Sequence, residues 1–162
     1  MKPGRGWTGG QNFRPARDVD VIYGHGLVKR ESANWPRYIA VTTPTAWKTA
    51  QPYIAQQPIG VSTVSMLDWH HLDSASNALP DDAEMVVGIG GGTALDASKY
   101  VALKKDLPLR LVPTAVSTGA IIHGVFANWK GHSIVADPKS WPYCDFEHVL
   151  VDYDLILEAP WY

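Results

Sequence analysis

A chain of 162 residues with 46% hydrophobic content is long enough for one well-buried core and too short for two full-sized domains. The formal net charge of −2 and a pI near 6.3 supply no broad basic field, which sets nucleic acid aside as a partner. The single cysteine, Cys144, excludes an internal disulfide and a thiolate metal cluster and fits a reducing cytoplasm. No apolar run reaches the roughly 18 to 20 residues of a membrane span, so no membrane role is expected.

In chain order, residues 1–17 are polar, rich in glycine, proline and arginine, and without periodicity; they read as a loose arm preceding one domain over 18–162. Residues 18–27 hold Val19, Val21 and Ile22 and end in Gly24-His25-Gly26, a strand running into a tight turn in which His25 is a turn residue rather than a site residue. A second strand is expected over 37–43, closed by Pro44, then a short helix over 45–56 and a third strand over 59–64. The cluster Asp68-Trp69-His70-His71-Leu72-Asp73 has metal-ligating residue types, but adjacent histidines seldom converge on one ion, so a surface loop or helix start is the better reading. Residues 74–82 are polar and lead into a buried strand at Met85-Val86-Val87.

That strand ends in Gly88-Ile89-Gly90-Gly91-Gly92-Thr93, the stretch most directly tied to chemistry. Three successive glycines let the backbone lie against a ligand without intervening side chains, and the helix that follows points its positive end at the same place. Thr93 is expected to cap this helix. Ala94, Ala97 and Val101 form its packing stripe, and Asp96 and Lys99 are expected off the stripe, reaching the cleft or each other. Strand and helix alternate at a spacing that predicts an α/β fold, a parallel sheet with crossover helices, and place the glycine turn at the carboxyl edge where such sheets bind ligands. The spacing departs from GxGxxG, since Thr93 stands where the third glycine belongs.

The next strand is expected over 107–114, followed by a small, hydroxyl-rich loop over 115–120 suited to donating hydrogen bonds to a cofactor. Residues 121–127 and 131–136 are read as a β-hairpin about Asn128-Trp129-Lys130-Gly131. A last strand covers 147–152, and a further segment starts at Asp154.

Gly90-Gly91-Gly92-Thr93 with Asp96 and Lys99, Pro113-Thr114 with Ser117-Thr118, then Val149-Leu150-Val151-Asp152 and Ala159-Pro160, together resemble the N-terminal half of the iron-containing alcohol dehydrogenase superfamily, which includes glycerol dehydrogenase, sn-glycerol-1-phosphate dehydrogenase and 3-dehydroquinate synthase. The resemblance implies a Rossmann-like, dehydroquinate-synthase-like nucleotide-binding domain and a helical second domain, expected to be absent here, that carries the metal ligands. It implies NAD or NADP as cofactor, a divalent metal, zinc or iron, in a full-length member, and a small polyol or phosphorylated polyol as substrate. By the same resemblance Gly90, Gly91, Gly92 and Thr93 hold the pyrophosphate, Asp96 and Lys99 line the cleft, and Thr114, Ser117 and Thr118 contact the rest of the cofactor.

Three departures from the family pattern bear on function. Gly119-Ala120 stand where glycerol dehydrogenases and their phosphate relatives carry an aspartate. Thr42, Thr43 and Thr45 stand where many NAD-preferring members carry an acidic residue, which leaves NAD against NADP open. His123, His132 and His148 match no family ligand position and read as loop or strand-end residues. The expected function is the NAD(P)-binding domain of a metal-dependent alcohol or polyol dehydrogenase, inactive alone. Two alternatives stand beside it: a 3-dehydroquinate-synthase-like cyclase domain, for which only Lys130 and Lys139 are available as phosphate binders, and a non-catalytic nucleotide-binding or interaction module. For the latter, Trp129, Trp141, Tyr143, Trp161 and Tyr162 would form a patch for a partner chain, which also leaves a homo-oligomer open.

Overall fold

A computed structural model describes residues 19–126, 129–130, 133–134, 144–146 and 148–159. The expected arm over 1–17, His132, and Trp141, Tyr143, Trp161 and Tyr162 of the aromatic patch lie outside the described residues.

The described elements run β1 (Asp20–Gly24), α1 (Leu27–Ser32), β2 (Tyr38–Thr42), α2 (Pro44–Ala50), β3 (Gly60–Thr63), α3 (Trp69–Asn77), β4 (Met85–Gly90), α4 (Gly92–Lys105), β5 (Leu109–Pro113), β6 (Trp129–Lys130), β7 (Ser133–Ile134), β8 (His148–Asp152) and α5 (Tyr153–Leu157). Six of the strands form one parallel sheet in the order β1-β8-β5-β4-β2-β3, while β6 and β7 make a separate antiparallel pair. The sheet is the expected Rossmann-like α/β architecture.

The apolar runs are continuous because both faces of the sheet are covered. Ile39, Val41, Val86, Leu109, Leu111, Val149 and Val151 pack on one side with Leu72 of α3 and Leu95 and Val101 of α4. Their sequence neighbours Tyr38, Ala40, Met85, Val87, Val112 and Leu150 pack on the other side with Leu27 and Val28 of α1, Ala50 of α2 and Leu155 of α5. Period-two alternation assigns each residue its face, and neither face is left to water.

Strand order also fixes where the sheet opens. From β2 the chain moves outward to β3 and then returns to β4 on the other side of β2, after which it continues the opposite way through β5 to β8. The helices after β2 and β4 consequently lie on opposite faces, and a crevice opens between the carboxyl ends of these two neighbouring strands. The glycine turn sits at this switch point.

Several local expectations are corrected. α2 ends at Ala50, short of the expected residue 56, and gives way to a 3-10 turn over Gln51–Tyr53; Pro52 lacks the N–H that would continue the helix. The Asp68 cluster is a helix start: Asp68 accepts from the backbone N–H groups of His70 and His71 and caps α3. α1, six residues long, carries too short a pattern to be seen in sequence. Trp129 and Lys130, expected in the turn of the hairpin, are instead its first strand. Residues 119–121 are committed to a 3-10 turn in which Thr118 Oγ1 accepts from Ala120 N, so pairing starts only further along.

Asp152, the last residue of β8, is wholly buried. Its Oδ1 accepts from Asp154 N at 3.0 Å and caps α5, and its Oδ2 accepts from Val28 N at 2.8 Å in the first turn of α1. One carboxylate thus satisfies an N–H group in the opening turn of each of two helices. Asp152→Ala is expected to lower stability by about 2–3 kcal/mol, the loss of a cap plus a stranded buried N–H, with Asp152→Asn milder because one acceptor oxygen remains. Urea unfolding midpoints of the two variants check both the size and the order.

Candidate functional site

The turn between β4 and α4 is built from glycines with separate duties. Gly90 has φ +144, a backbone region that L side chains rarely adopt, and a Cβ there would stand 2.7 Å from Ala94 Cβ and 3.2 Å from Ala46 Cβ. The close approach of α2 through Ala46 shows that Gly90 lies at the switch point itself. Gly91 is the N-cap of α4, in an extended conformation, with no side-chain cap bond and with nothing within 4 Å of the position a Cβ would take. Gly92 opens the helix, and its Cβ position is 3.2 Å from Thr118 Oγ1. The turn is therefore packed from below at Gly90, walled by Thr118 at Gly92, and open at Gly91.

Thr93, expected as the cap, is instead the second residue of α4 with an exposed side chain. No side chain of the N-cap residue closes this helix, in contrast to α2, α3 and α5, which Thr43, Asp68 and Asp152 cap. The positive end of the longest described helix is thereby presented at the open glycine.

β5 supplies the neighbouring wall. Thr114 N donates to Gly90 O at 3.1 Å, carrying the sheet one step past Pro113 and seating the 114–118 loop beside the glycine turn. Ser117 and Thr118 are exposed, and Thr114 is half-buried. The structure therefore brings Gly91, Gly92, Thr93, Thr114 and Thr118 to one crevice edge, with Ser117 on the same loop.

Lys99 departs from the expected placement. Rather than lying off the packing stripe, it is fully buried, because α4 is covered by the sheet on one side and by the loop after β5 on another. Its Nζ donates to Ala120 O at 2.7 Å, to Asp96 Oδ1 at 3.1 Å and to Val125 O at 3.4 Å, and stands 5.9 Å from the centre of the Phe146 ring. Burial pulls its pKa below the ordinary lysine value, opposed by the Asp96 carboxylate. The expected pairing of Asp96 with Lys99 is present, and the ammonium ties α4 to the loop that carries Thr118.

His25, read as a turn residue, has a partner that lies far away in sequence. Its Nδ1 is 2.7 Å from Asp154 Oδ1, while Asp154 Oδ2 accepts from Gly26 N at 2.9 Å; the histidine bond holds the Asp154 carboxyl below the usual carboxylate range. This pair sits at the carboxyl ends of β1 and β8, the same sheet edge as the glycine turn.

With this geometry in view, residues 36–160 match the family model described as iron-containing alcohol dehydrogenase. The chain belongs to that family. A glycerol-1-phosphate dehydrogenase [NAD(P)+] of Natronomonas pharaonis is 27% identical over 157 residues, covering 87% of this chain and 43% of the relative. The crystal structure of glycerol dehydrogenase from Schizosaccharomyces pombe superimposes with a TM-score of 0.72 at 20% identity, over 92% of this chain and 42% of that one. A sulfoacetaldehyde reductase from Bifidobacterium kashiwanohense, solved in complex with NAD+, gives 0.68 at 22% identity over 93% and 49%. This iron-containing alcohol dehydrogenase chain spans less than half the length of these relatives. Among its described residues no three His, Cys, Asp or Glu side chains converge as a metal site. Among the same residues no helix is long and apolar enough to cross a membrane.

Proposed function

We propose that this chain is the dinucleotide-binding half of an NAD(P)-dependent dehydrogenase of small polyols or their phosphate esters. The observation that carries the reading is Gly91: an open, side-chain-free N-cap on a fourteen-residue helix at the switch point of a parallel sheet. The names of the relatives supply the substrate class, and the residues present fit the nucleotide.

Gly91 and Gly92 let the backbone approach the pyrophosphate, and the positive end of α4 favours its charge. Thr93 and Thr118 hydroxyls donate to phosphate oxygens, while Thr114 and Ser117 line the path of the remaining cofactor. Gly90 holds the turn in its left-handed conformation, and Asp96 with Lys99 fixes the wall from behind rather than contacting the ligand. A bound nicotinamide would supply the hydride-accepting or hydride-donating ring.

Gly91→Asp separates binding from folding. The backbone at residue 91 already has N-cap geometry, so an aspartate there caps α4 and is expected to raise stability by about 0.5–1 kcal/mol. The same carboxylate occupies the open position and repels phosphate, so NADH affinity is expected to fall at least about tenfold by fluorescence titration. Wild-type protein that shows no saturable binding of NADH or NADPH would overturn the reading.

A further inference from the structure

A cavity of about 350 Å³ opens between the last turns of α3 and α4, lined by Ser76, Asn77, Asp81, Lys104, Lys105 and Leu107. It lies at the amino edge of the sheet, the edge opposite the glycine turn. α4 starts at Gly92 beside the crevice and ends at Lys105, so about 20 Å of helix separates the two places. The negative end of a helix favours cations, which accounts for lysines in the last turn of α4. It does not account for their enclosure or for the donors left over around them.

Lys105 is the more enclosed of the two, its side chain 12% exposed. Its Nζ donates to Asp81 Oδ1 at 2.9 Å and to Leu79 O at 3.2 Å, which uses two of the three N–H groups of an ammonium. Lys104 Nζ donates to Asp73 Oδ1, an oxygen that also accepts from Tyr100 OH. Ser76 is 1% exposed, and among the described residues its Oγ has no hydrogen-bond partner. The exposed Asn77 carboxamide adds two further N–H groups.

Against these donors the lining holds one carboxylate, Asp81, whose side chain is 99% exposed. The hydrogen bond from Lys105 holds its carboxyl below the usual carboxylate range, so Asp81 sits on the ammonium as a tethered anion. The lining thus carries two ammonium groups for one carboxylate, and more N–H and O–H donors than acceptors.

We infer that this cavity binds a small oxyanion with at least two negative charges, a phosphate or a polycarboxylate, held by Lys104, Lys105 and Ser76 after displacing Asp81 from Lys105. A singly charged ion only exchanges for Asp81, whereas a polyanion engages both ammonium groups and supplies the acceptor that the Ser76 hydroxyl lacks. The site is separate from the crevice and does not depend on the dehydrogenase reading.

The test follows the amide signals of the whole isotope-labelled chain by NMR during titration with inorganic phosphate, citrate and acetate at constant ionic strength, without and with NADH. Phosphate or citrate is expected to saturate and to move the signals of Ser76, Asn77, Lys104, Lys105 and Leu107 in both conditions, while acetate does not saturate. The phosphate and citrate arms separate a phosphate site from a carboxylate site. Asp81→Asn, which removes the competing carboxylate, is expected to tighten binding at least about threefold, and Lys105→Gln to weaken it at least about tenfold. Ser76→Ala is expected to weaken binding about threefold while the thermal midpoint of the free protein stays the same or rises, because its hydroxyl has no bond to lose. That variant keeps the site testable should Lys105→Gln fail to fold. Absence of saturation by either polyanion, equal binding of acetate, shifts confined to the glycine turn, or affinity unchanged in both Asp81→Asn and Ser76→Ala each overturns the inference.

Discussion

Lys99→Met is expected to destabilise the fold by about 3–5 kcal/mol, the range for removing one partner of a buried ion pair. The ammonium is fully buried and serves three acceptors, so its loss takes a donor from Ala120 O and Val125 O and a positive charge from beside the Asp96 carboxylate, which is 15% exposed. Methionine fills similar volume, which assigns the deficit to the lost bonds and charge rather than to a cavity. Adding Asp96→Asn to Lys99→Met should recover part of the loss, because residue 96 then carries no charge that the lost ammonium offset, and a double-mutant cycle reads that coupling. A deficit under about 1 kcal/mol by urea unfolding would show the pair to be dispensable.

The same residue sets an alkaline pH dependence. The folded pKa of Lys99 lies below its unfolded value, with burial as the cause. Between the two values the unfolded chain holds more protons, so stability rises with pH across that window and levels off near the ordinary lysine pKa of about 10.4. Wild-type stability is accordingly expected to gain on Lys99→Met as pH rises into this range. Because Lys99 holds the segment from Ala120 to Val125, the variant should also show faster amide exchange in the loop that carries Thr118 and His123.

Gly88→Ala is expected to cost about 3 kcal/mol through overpacking. A Cβ at residue 88 would meet Ser98 Oγ at 2.1 Å, Ser98 Cβ at 2.6 Å and Leu111 Cδ2 at 3.1 Å. Ser98 has no room to turn away: it is wholly buried, and its hydroxyl donates to Leu95 O at 2.7 Å within α4. One methyl group therefore moves the helix off the sheet. Ser98→Gly in the same chain removes both clashing atoms, at about 1 kcal/mol of helix propensity, and should restore most of the stability. Nucleotide affinity should fall with Gly88→Ala and return with the double variant, since the displaced helix is the one that opens at Gly91. Thermal unfolding together with NADH titration of the two variants distinguishes this from a local rearrangement, in which the second substitution would bring no recovery.

Of the glycines in this stretch, the sequence singles out Gly90-Gly91-Gly92 as a unit, and the structure divides the work differently. Gly88 exists for helix-to-sheet packing, Gly90 for its φ of +144, and Gly91 for the opening. Spacing along the chain cannot separate these roles, because each depends on which atoms of α2, α4 and β5 come to rest above the backbone.

What the sequence by itself determined is the alternation of strand and helix, the parallel sheet, and the place of the glycine turn at its carboxyl edge, all of which follow from apolar runs of strand length, glycine and proline punctuation, and helical spacing after Thr93. Those are properties of neighbours in the chain, and local geometry reads them out. Only the tertiary structure decided that Lys99 turns inward, that Asp152 caps two helices, that His25 meets Asp154, and that His123 lies over Gly119. A cationic side chain on a helix reads as solvated until a second layer covers that helix, and an acceptor 124 residues away from its donor leaves no trace in local pattern. The physical reason is the same in each case: hydrogen bonds and burial are settled by what packs against a residue, and only the closed fold supplies those neighbours.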